Sequence, residues 1–253
     1  MYRLLLLAGL MAAPAMAAEP IVALSSERQT AVLELYTSEG CSSCPRADKW
    51  LNRLVNTPSD DLDVLALAFH VDYWNYLGWK DRFSSPAYTK RQRLLGANNR
   101  QRTIYTPEFF VNGKEARGAN SILDKIQQSN QREAPLDLRL TVSRAGSELV
   151  VEIHSPTPRD ALGTVHHRFL VYENRLSTEV TRGENSGETL YHERVVRYMS
   201  RAQNLRDDNL YRIPVQPDWN VDNLGVAVMA TSPDDVEYWQ AVHAPIAALF
   251  TEN

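Results

Sequence analysis

Two nearly continuous apolar runs mark the first half of the chain, at residues 31–36 and 64–71. The first run contains one charged residue, Glu34, and runs of this kind are typical of strands that are covered on both faces of a sheet. Between the two runs, apolar residues recur at the spacing of a single helix face, namely at Ala47, Leu51, Leu54 and Val55. A connection that contains a helix is long enough to join parallel strands. The pattern therefore predicts a βαβ unit.

The next segment, residues 72–102, is predicted to be a helical insertion. It opens with the aromatic run DYWNYLGW and continues into a helix whose start is signalled by Pro86 after two serines. Beyond it, the Asn-Gly pair at 112–113 is a strong hairpin signal between two short strands, and residues 121–131 have the pattern of a closing helix. We therefore expect an α/β domain over residues 30–132.

The hydrophobic period changes to two after Pro135. Apolar and polar residues alternate first at Leu136, Leu138, Leu140 and Val142. Further strand-like segments, separated by turn signals, follow at residues 148–154, 165–172, 178–181, 190–198, 209–215, 225–230 and 236–241. Many short strands without a helical stripe are typical of an antiparallel β-sandwich. The predicted fold class is α/β plus all-β, with a β-sandwich domain at residues 135–248 after the first domain.

Residues 1–17 have the pattern of a signal peptide. Arg3 supplies a positive start, an apolar run follows at 4–13, and Ala-Met-Ala at 15–17 is a small-x-small cleavage site. The apolar run is too short for a permanent membrane anchor, and an uncleaved N-terminal anchor is the alternative. We therefore expect a periplasmic or secreted protein with no stable membrane anchor after cleavage, whose residues 18–30 form a loose arm.

The composition of the chain limits the classes of partner that we expect. The net charge is −4, and the chain contains no block of like charge, so no nucleic-acid partner is expected. The chain contains two cysteines, which in an exported protein meet an oxidising compartment. No cofactor is predicted.

Both cysteines lie in the turn between the first predicted strand and its helix, in the order Cys41-Ser-Ser-Cys44. Thiol chemistry requires the thiolate, and the pKa of a free cysteine is about 8.5. At a helix N-terminus, unpaired N–H groups and the positive end of the dipole stabilise a thiolate. We therefore predict Cys41 as the nucleophile and Cys44 as the resolving thiol.

Two other uses of this cysteine pair stay open. A structural disulfide is one, although closing a four-residue loop contributes only about 2 kcal/mol in the loop-entropy interpretation. A zinc or copper site is the other, because two thiolates at this spacing form half of such a site. His70 and Asp72 end the second predicted strand, and the carboxyl ends of parallel strands share one edge of the sheet, so these residues are candidates to complete the site.

A strand, C-x-x-C, a helix, a second strand and then Thr106-Pro107 before a hairpin and a last helix resemble the thioredoxin superfamily over roughly residues 30–131. More narrowly, four segments look like a bacterial secreted thioredoxin-like family that is catalogued as a domain of unknown function: LYTSEGCSSCPRAD, FHVDYWNYLGWKDRF, YTPEFFVNG and TRGENSGETLYHERVV. The resemblance implies that Pro107 follows a cis peptide bond and faces the dithiol. Glu34 resembles the superfamily's proton-carrying acid but lies one residue farther from the first cysteine, and Gly40 stands where the superfamily usually has tryptophan.

Four further residues are predicted on the substrate side of the dithiol: Thr106, His70, Asp72 and Trp74. The aromatic run that contains Trp74 is expected either to form a wall beside the dithiol or to pack the insertion onto the domain. The leading hypothesis is an exported thiol-disulfide oxidoreductase acting on protein or small-thiol substrates. The alternative is a periplasmic binding or accessory protein in which the cysteines form a structural disulfide or, with His70, part of a metal site.

Overall fold

A computed structural model of the chain describes residues 18–57, 59, 61–157, 163–206 and 209–251. The predicted signal peptide at 1–17 lies outside these residues. The α-helices of the described part are α1 (Cys44–Asn56), α2 (Pro86–Asn98) and α3 (Ala119–Asn130). Among the described residues, no helix is both long and apolar enough to cross a membrane.

Sheet is the main regular structure of the described chain, and the fold is mixed α/β with an antiparallel part that resembles a β-sandwich. The strands in chain order are β1 (Ile21–Leu24), β2 (Ala31–Thr37), β3 (Val64–His70), β4 (Glu108–Val111), β5 (Lys114–Ala116), β6 (Arg139–Ala145), β7 (Glu148–His154), β8 (His166–Glu173), β9 (Leu176–Glu179), β10 (Thr189–His192), β11 (Val195–Met199), β12 (Gln203–Asn204), β13 (Asn209–Pro214), β14 (Leu224–Thr231) and β15 (Tyr238–Pro245). They form a nine-stranded sheet, a four-stranded sheet and a two-stranded ribbon.

The crossover predicted from the apolar runs is present. β2 and β3 pair in parallel along their whole length, and β4 pairs antiparallel to the other side of β2 before continuing into β5. The two faces of β2 pack against different helices. Leu33 and Leu35 face α1 and α3, whereas Val32 and Tyr36 share the opposite face with side chains of α2. Glu34 therefore lies on the α2 face, because side chains alternate along a strand.

The four-stranded sheet has the order β1-β6-β7-β13 and packs against β8, β14 and β15. Its first strand corrects the prediction of a loose arm at residues 18–30. β1 pairs antiparallel with β6, and Ile21 and Ala23 pack against the apolar core while Val22 and Leu24 stay exposed. Four residues of alternating burial are too short a pattern to be recognised beside a polar leader.

The nine-stranded sheet contains strands from both sides of Pro135. Their order is β15-β14-β8-β11-β3-β2-β4-β5, with β12 beside β8. The strand predicted at residues 190–198 is interrupted at Glu193 and Arg194. Its first part, β10, pairs with β9, while β11 joins β3 in parallel, with the N–H of Ala68 donating to the carbonyl oxygen of Arg194 at 2.9 Å. The interruption brings the second half of the chain to the carboxyl end of β3.

Candidate functional site

Cys41 and Cys44 form a disulfide at the start of α1. The turn before the helix is closed by two backbone hydrogen bonds, from Cys41 N to Ser38 O at 3.2 Å and from Cys44 N to Cys41 O at 3.1 Å. Pro45 fits the first helical turn because its missing N–H would have no partner within the helix there. Cys41 is 1% exposed and Cys44 is 0% exposed. The disulfide is therefore covered on all sides.

Thr106, one of the residues predicted on the substrate side, contacts Cys41, and Trp74, another of them, contacts Thr106. The carbonyl oxygen of Thr106 is 3.8 Å from Cys41 Sγ, and the peptide bond between Thr106 and Pro107 is cis. The indole Nε1 of Trp74 donates to Thr106 Oγ1 at 2.7 Å. A Cβ added at Gly40 would lie 3.3 Å from the Cβ of Trp74, so the small residue before Cys41 lets the indole approach the turn closely.

A groove begins at Pro107. It has a volume of about 550 Å³ and is lined by Tyr105, Pro107, Phe109, Ala116, Arg117 and Gly118. The guanidinium carbon of Arg117 lies 5.5 Å from the ring centre of Tyr105. The groove therefore combines the exposed cation of Arg117 with the aromatic side chains of Tyr105 and Phe109, and it lies next to Thr106, which contacts Cys41.

Residues 181–187 cover the disulfide turn from the second half of the chain. Asn185 is buried, and its Nδ2 donates to the carbonyl oxygens of Glu39 at 2.8 Å and Cys41 at 3.0 Å. The backbone N–H of Ser42 donates to Glu184 Oε2 at 3.0 Å, and hydrogen bonds from Ser42 lower the pKa of Glu184. The sequence resemblance included this segment, but no residue in it was predicted as part of the site.

A buried polar cluster lies next to the same turn. His70 Nδ1 is 2.7 Å from Asp81 Oδ2, and the same oxygen accepts the N–H of Glu39 at 2.9 Å. Burial alone would lower the pKa of His70, but the carboxylates of Asp81, Asp48 and Glu39 together outweigh burial, and the pKa is raised. Burial would raise the pKa of Asp81, and His70 holds it below its ordinary value. The two side chains therefore form an ion pair that anchors the turn.

His192 extends this cluster from β10. Its ring centre is 4.9 Å from that of His70, its Nε2 is 3.3 Å from Glu39 Oε1, and its Nδ1 is 3.9 Å from Asp48 Oδ2. Burial raises the pKa of Asp48, and the nearby His192 and His70 oppose that effect. Asp48 lies four residues after Cys44 on the buried face of α1. The spacing of four residues from Cys44 could have indicated from the sequence that Asp48 lies near the cysteines. The position of His192 could not have been predicted in this way, because it depends on the interruption between β10 and β11.

Glu34 and Asp72 are not brought to the disulfide. Glu34 lies on the opposite face of β2 from α1, where it accepts hydrogen bonds from Tyr36 Oη at 2.6 Å and from Arg91. Asp72 Oδ1 accepts from Thr89 Oγ1 of α2 at 2.6 Å. Glu34 is one residue farther from Cys41 than the corresponding acid of the superfamily. The face on which its side chain lies is nevertheless fixed by the alternation of side chains along β2.

The predicted metal ligands are not assembled either. The sulfur atoms of Cys41 and Cys44 are bonded to each other, and His70 Nδ1 is engaged by Asp81. Within the described part of the chain, no group of three or more His, Cys, Asp or Glu residues is arranged to hold a metal ion.

Comparisons with known proteins agree with this fold. A family model described as "Protein of unknown function (DUF1223)" matches residues 32–231, and no curated protein matches the chain. A crystal structure of a protein from Agrobacterium tumefaciens is similar, with 24% identity, a TM-score of 0.60, and a match over 86% of this chain and 95% of that one. HBP35 of Porphyromonas gingivalis is similar at 16% identity and a TM-score of 0.63, over 88% of this chain and 76% of that one. At these identities the likeness concerns the fold.

Proposed function

Because the chain belongs to the DUF1223 family, whose function is unknown, we propose its activity from its own site: it is an exported thiol-disulfide oxidoreductase that works through Cys41 and Cys44. The observation that carries the proposal is the position of the disulfide at the start of α1, with Thr106 O 3.8 Å from Cys41 Sγ. A helix start stabilises the thiolate that forms when such a bond opens.

The surroundings of the disulfide support a thioredoxin-like unit, which is part of the proposal. β2, α1 and β3 form a parallel crossover, and β4 and β5 add an antiparallel hairpin on the other side of β2. α3 packs on the same face of the sheet as α1, and α2 packs on the opposite face. This order of elements, together with the proline that precedes β4, supports the proposed resemblance to the thioredoxin superfamily over roughly residues 30–131.

The proposed reaction is thiol-disulfide exchange through a mixed disulfide. A substrate thiolate attacks Cys41 Sγ, the bond between Cys41 and Cys44 breaks, and Cys44 leaves as a thiolate that takes up a proton. A second substrate thiolate then attacks the substrate sulfur of the mixed disulfide. The products are an oxidised substrate disulfide and Cys41 as a thiolate, so two electrons pass from the substrate thiols to the protein. The reverse sequence reduces a substrate disulfide.

The groove at Pro107 supports a substrate that carries apolar or aromatic surface beside its sulfur, because Tyr105, Phe109 and Ala116 line it. Protein thiols and small thiols both belong to the proposed substrate class. An oxidising compartment, as expected for an exported protein, supplies the conditions under which the disulfide form persists.

Trapping tests the proposal. In a Cys44→Ala variant, a substrate that reacts at Cys41 stays attached, because the resolving thiol is missing. We expect mass spectrometry to find a mixed disulfide at Cys41 after incubation with an oxidised small disulfide or with extracts of the exporting compartment. Cys41→Ala is the matched control and should trap much less. Failure of Cys44→Ala to form any mixed disulfide would reject exchange.

One observation favours a second candidate, a binding or accessory protein with a structural disulfide. Both cysteines are buried, and Asn185 from the second half of the chain binds the carbonyl oxygen of Cys41. The reduction potential of the pair separates the two candidates. A value below roughly −300 mV is typical of structural disulfides and would favour the accessory role, whereas a higher value would favour exchange.

A further inference from the structure

We propose that residues 181–187, called the strap from here on, gate access to the disulfide and make its exchange selective for the size of the attacking thiol. This inference rests on the proposed function and specifies which partners reach the site. Thiol-disulfide exchange requires the attacking sulfur to reach a sulfur of the disulfide. With Cys41 only 1% exposed, such an approach requires an element packed on the turn to move, and in the proposal this element is the strap, whose Asn185 binds the carbonyl oxygen of Cys41.

The strap is attached to the turn by few, identifiable hydrogen bonds. Asn185 supplies two of them, to the carbonyl oxygens of Glu39 and Cys41, and Glu184 accepts a third from the N–H of Ser42. Asn185 is 7% exposed, whereas the other six strap residues are exposed. The buried amide of Asn185 therefore anchors the strap to the turn, while Gly183 lies close to Trp79, where an added Cβ would be 3.1 Å from the Cβ of Trp79.

The strap also has the construction of a movable element. It connects β9 and β10, which within the described residues pair only with each other and form a ribbon separate from the two larger sheets. Its remaining backbone hydrogen bonds are local: Ser186 N donates to Gly183 O at 3.2 Å, and Gly187 N donates to Val180 O, just before the strap, at 2.7 Å. Displacing the strap consequently breaks its contacts with the turn while the ribbon keeps its pairing.

A thiol on a small molecule needs only a slight opening beside Asn185, whereas a thiol on a large chain needs the strap displaced. The experiment compares 2-mercaptoethanol with a long polyethylene glycol that carries one terminal thiol. The oxidised full-length chain is treated with each, and the reduced fraction is followed by acid quenching, alkylation and mass spectrometry. For the unmodified protein, we expect the polymer thiol to react at least about tenfold more slowly.

Two variants remove the attachment in different ways. Asn185→Ala removes the side-chain amide, and Asn185→Asp keeps its shape but has no N–H to donate. Since losing two ordinary hydrogen bonds changes an equilibrium by about tenfold or more, we expect both variants to react about tenfold faster with the polymer thiol and to lose most of the size selectivity. Asn52→Ala is the matched control. It removes hydrogen bonds between α1 and the ribbon, from Nδ2 to Tyr191 O at 2.8 Å and from Glu193 N to Oδ1 at 3.2 Å, and leaves the strap's own contacts intact.

Unchanged rates in both Asn185 variants, equal acceleration with both thiols, or the same effect in Asn52→Ala would overturn the gate. The result is separable from the test of exchange, because reduction by an added thiol reports access to the sulfur and not the presence of a substrate. If the Asn185 variants react selectively faster with the polymer thiol but no substrate is trapped at Cys41, the gating role of the strap is supported and the proposed function is rejected. Trapping with no effect of Asn185 would do the reverse.

Discussion

Arg91 contacts both carboxylate oxygens of Glu34 inside the protein, with Nε 2.8 Å from Oε2 and Nη2 2.9 Å from Oε1. The two side chains are 2% and 1% exposed. Arg91 Nη1 also donates to Asp235 at 3.0 Å, and Asp235 accepts from Arg168 at 2.8 Å. Because Asp235 and Arg168 follow Pro135 in the chain, this buried network connects both predicted domains.

Replacing Arg91 by methionine is expected to lower the free energy of unfolding by about 3–5 kcal/mol, because it leaves the buried carboxylate of Glu34 without its cation. Urea denaturation measures this loss. Arg93→Met is the matched control, since Arg93 is an exposed residue of the same helix, and we expect it to change the free energy by less than about 0.5 kcal/mol.

The double variant Arg91→Met with Glu34→Gln checks the cause. Removing the stranded charge should restore part of the lost stability, because a buried charge without a partner costs more than a buried neutral amide. A double variant less stable than Arg91→Met alone would show that packing, and not the uncompensated carboxylate, determines the effect.

Local sequence patterns predicted some features of this fold, whereas contacts between distant parts of the chain could not be predicted. The apolar runs at 31–36 and 64–71 predicted β2 and β3, because buried central strands have a strong local signal. The pairing of β11 with β3 could not be predicted, since it depends on contacts between residues distant in the chain. Cys41 and Trp74 were predicted as site residues from local patterns. Asn185 and His192 were not, because loop residues acquire their role from the elements that pack against them.

Glu34 was predicted as a proton carrier for the cysteines, but its side chain lies on the opposite face of the sheet from α1. Its side chain lies with Val32 and Tyr36 on the α2 face of β2, while Cys44 begins α1, which packs on the other face. We therefore expect Glu34→Gln to leave the pH profile of disulfide reduction by dithiothreitol unchanged between about pH 5 and pH 9. Stopped-flow or quenched reduction measures the profile. A shifted profile would restore Glu34 as a proton carrier for the cysteines.

Asp48 is expected to destabilise the fold when it is ionised. Burial raises its pKa above the ordinary value of 3.8, so the folded state holds this proton more tightly than the unfolded state does. Stability from this group is therefore present at low pH and is lost as the pH rises through the raised pKa. Asp48→Asn removes the ionisable group and keeps the shape. We expect its gain in melting temperature over the unmodified protein to be larger at pH 7 than at pH 4, and an equal gain at both would contradict this explanation.

Two histidines of the β-rich half are expected to make the fold sensitive to acid. The pKa of His167 and that of His243 are both lowered to about 4, mainly by burial and, for His243, also by the Arg194 guanidinium. The unfolded chain, with an ordinary histidine pKa of about 6.5, binds these protons at a higher pH than the folded chain does. Stability should therefore be complete above about pH 6.5 and should decline as the pH falls towards about 4.

Replacing His243 by glutamine isolates this effect, because glutamine cannot take up a proton in that range. We expect the melting temperature of His243→Gln to fall less between about pH 7 and pH 4.5 than that of the unmodified protein, whatever the cost of the substitution at neutral pH. His154→Gln, at an exposed position of β7, is the control and should follow the unmodified protein. If His243→Gln and the unmodified protein lost stability in parallel, the acid sensitivity would have to come from other groups. The His70–Asp81 ion pair would not be among them down to this pH, because its raised histidine pKa favours the folded state below about 6.5.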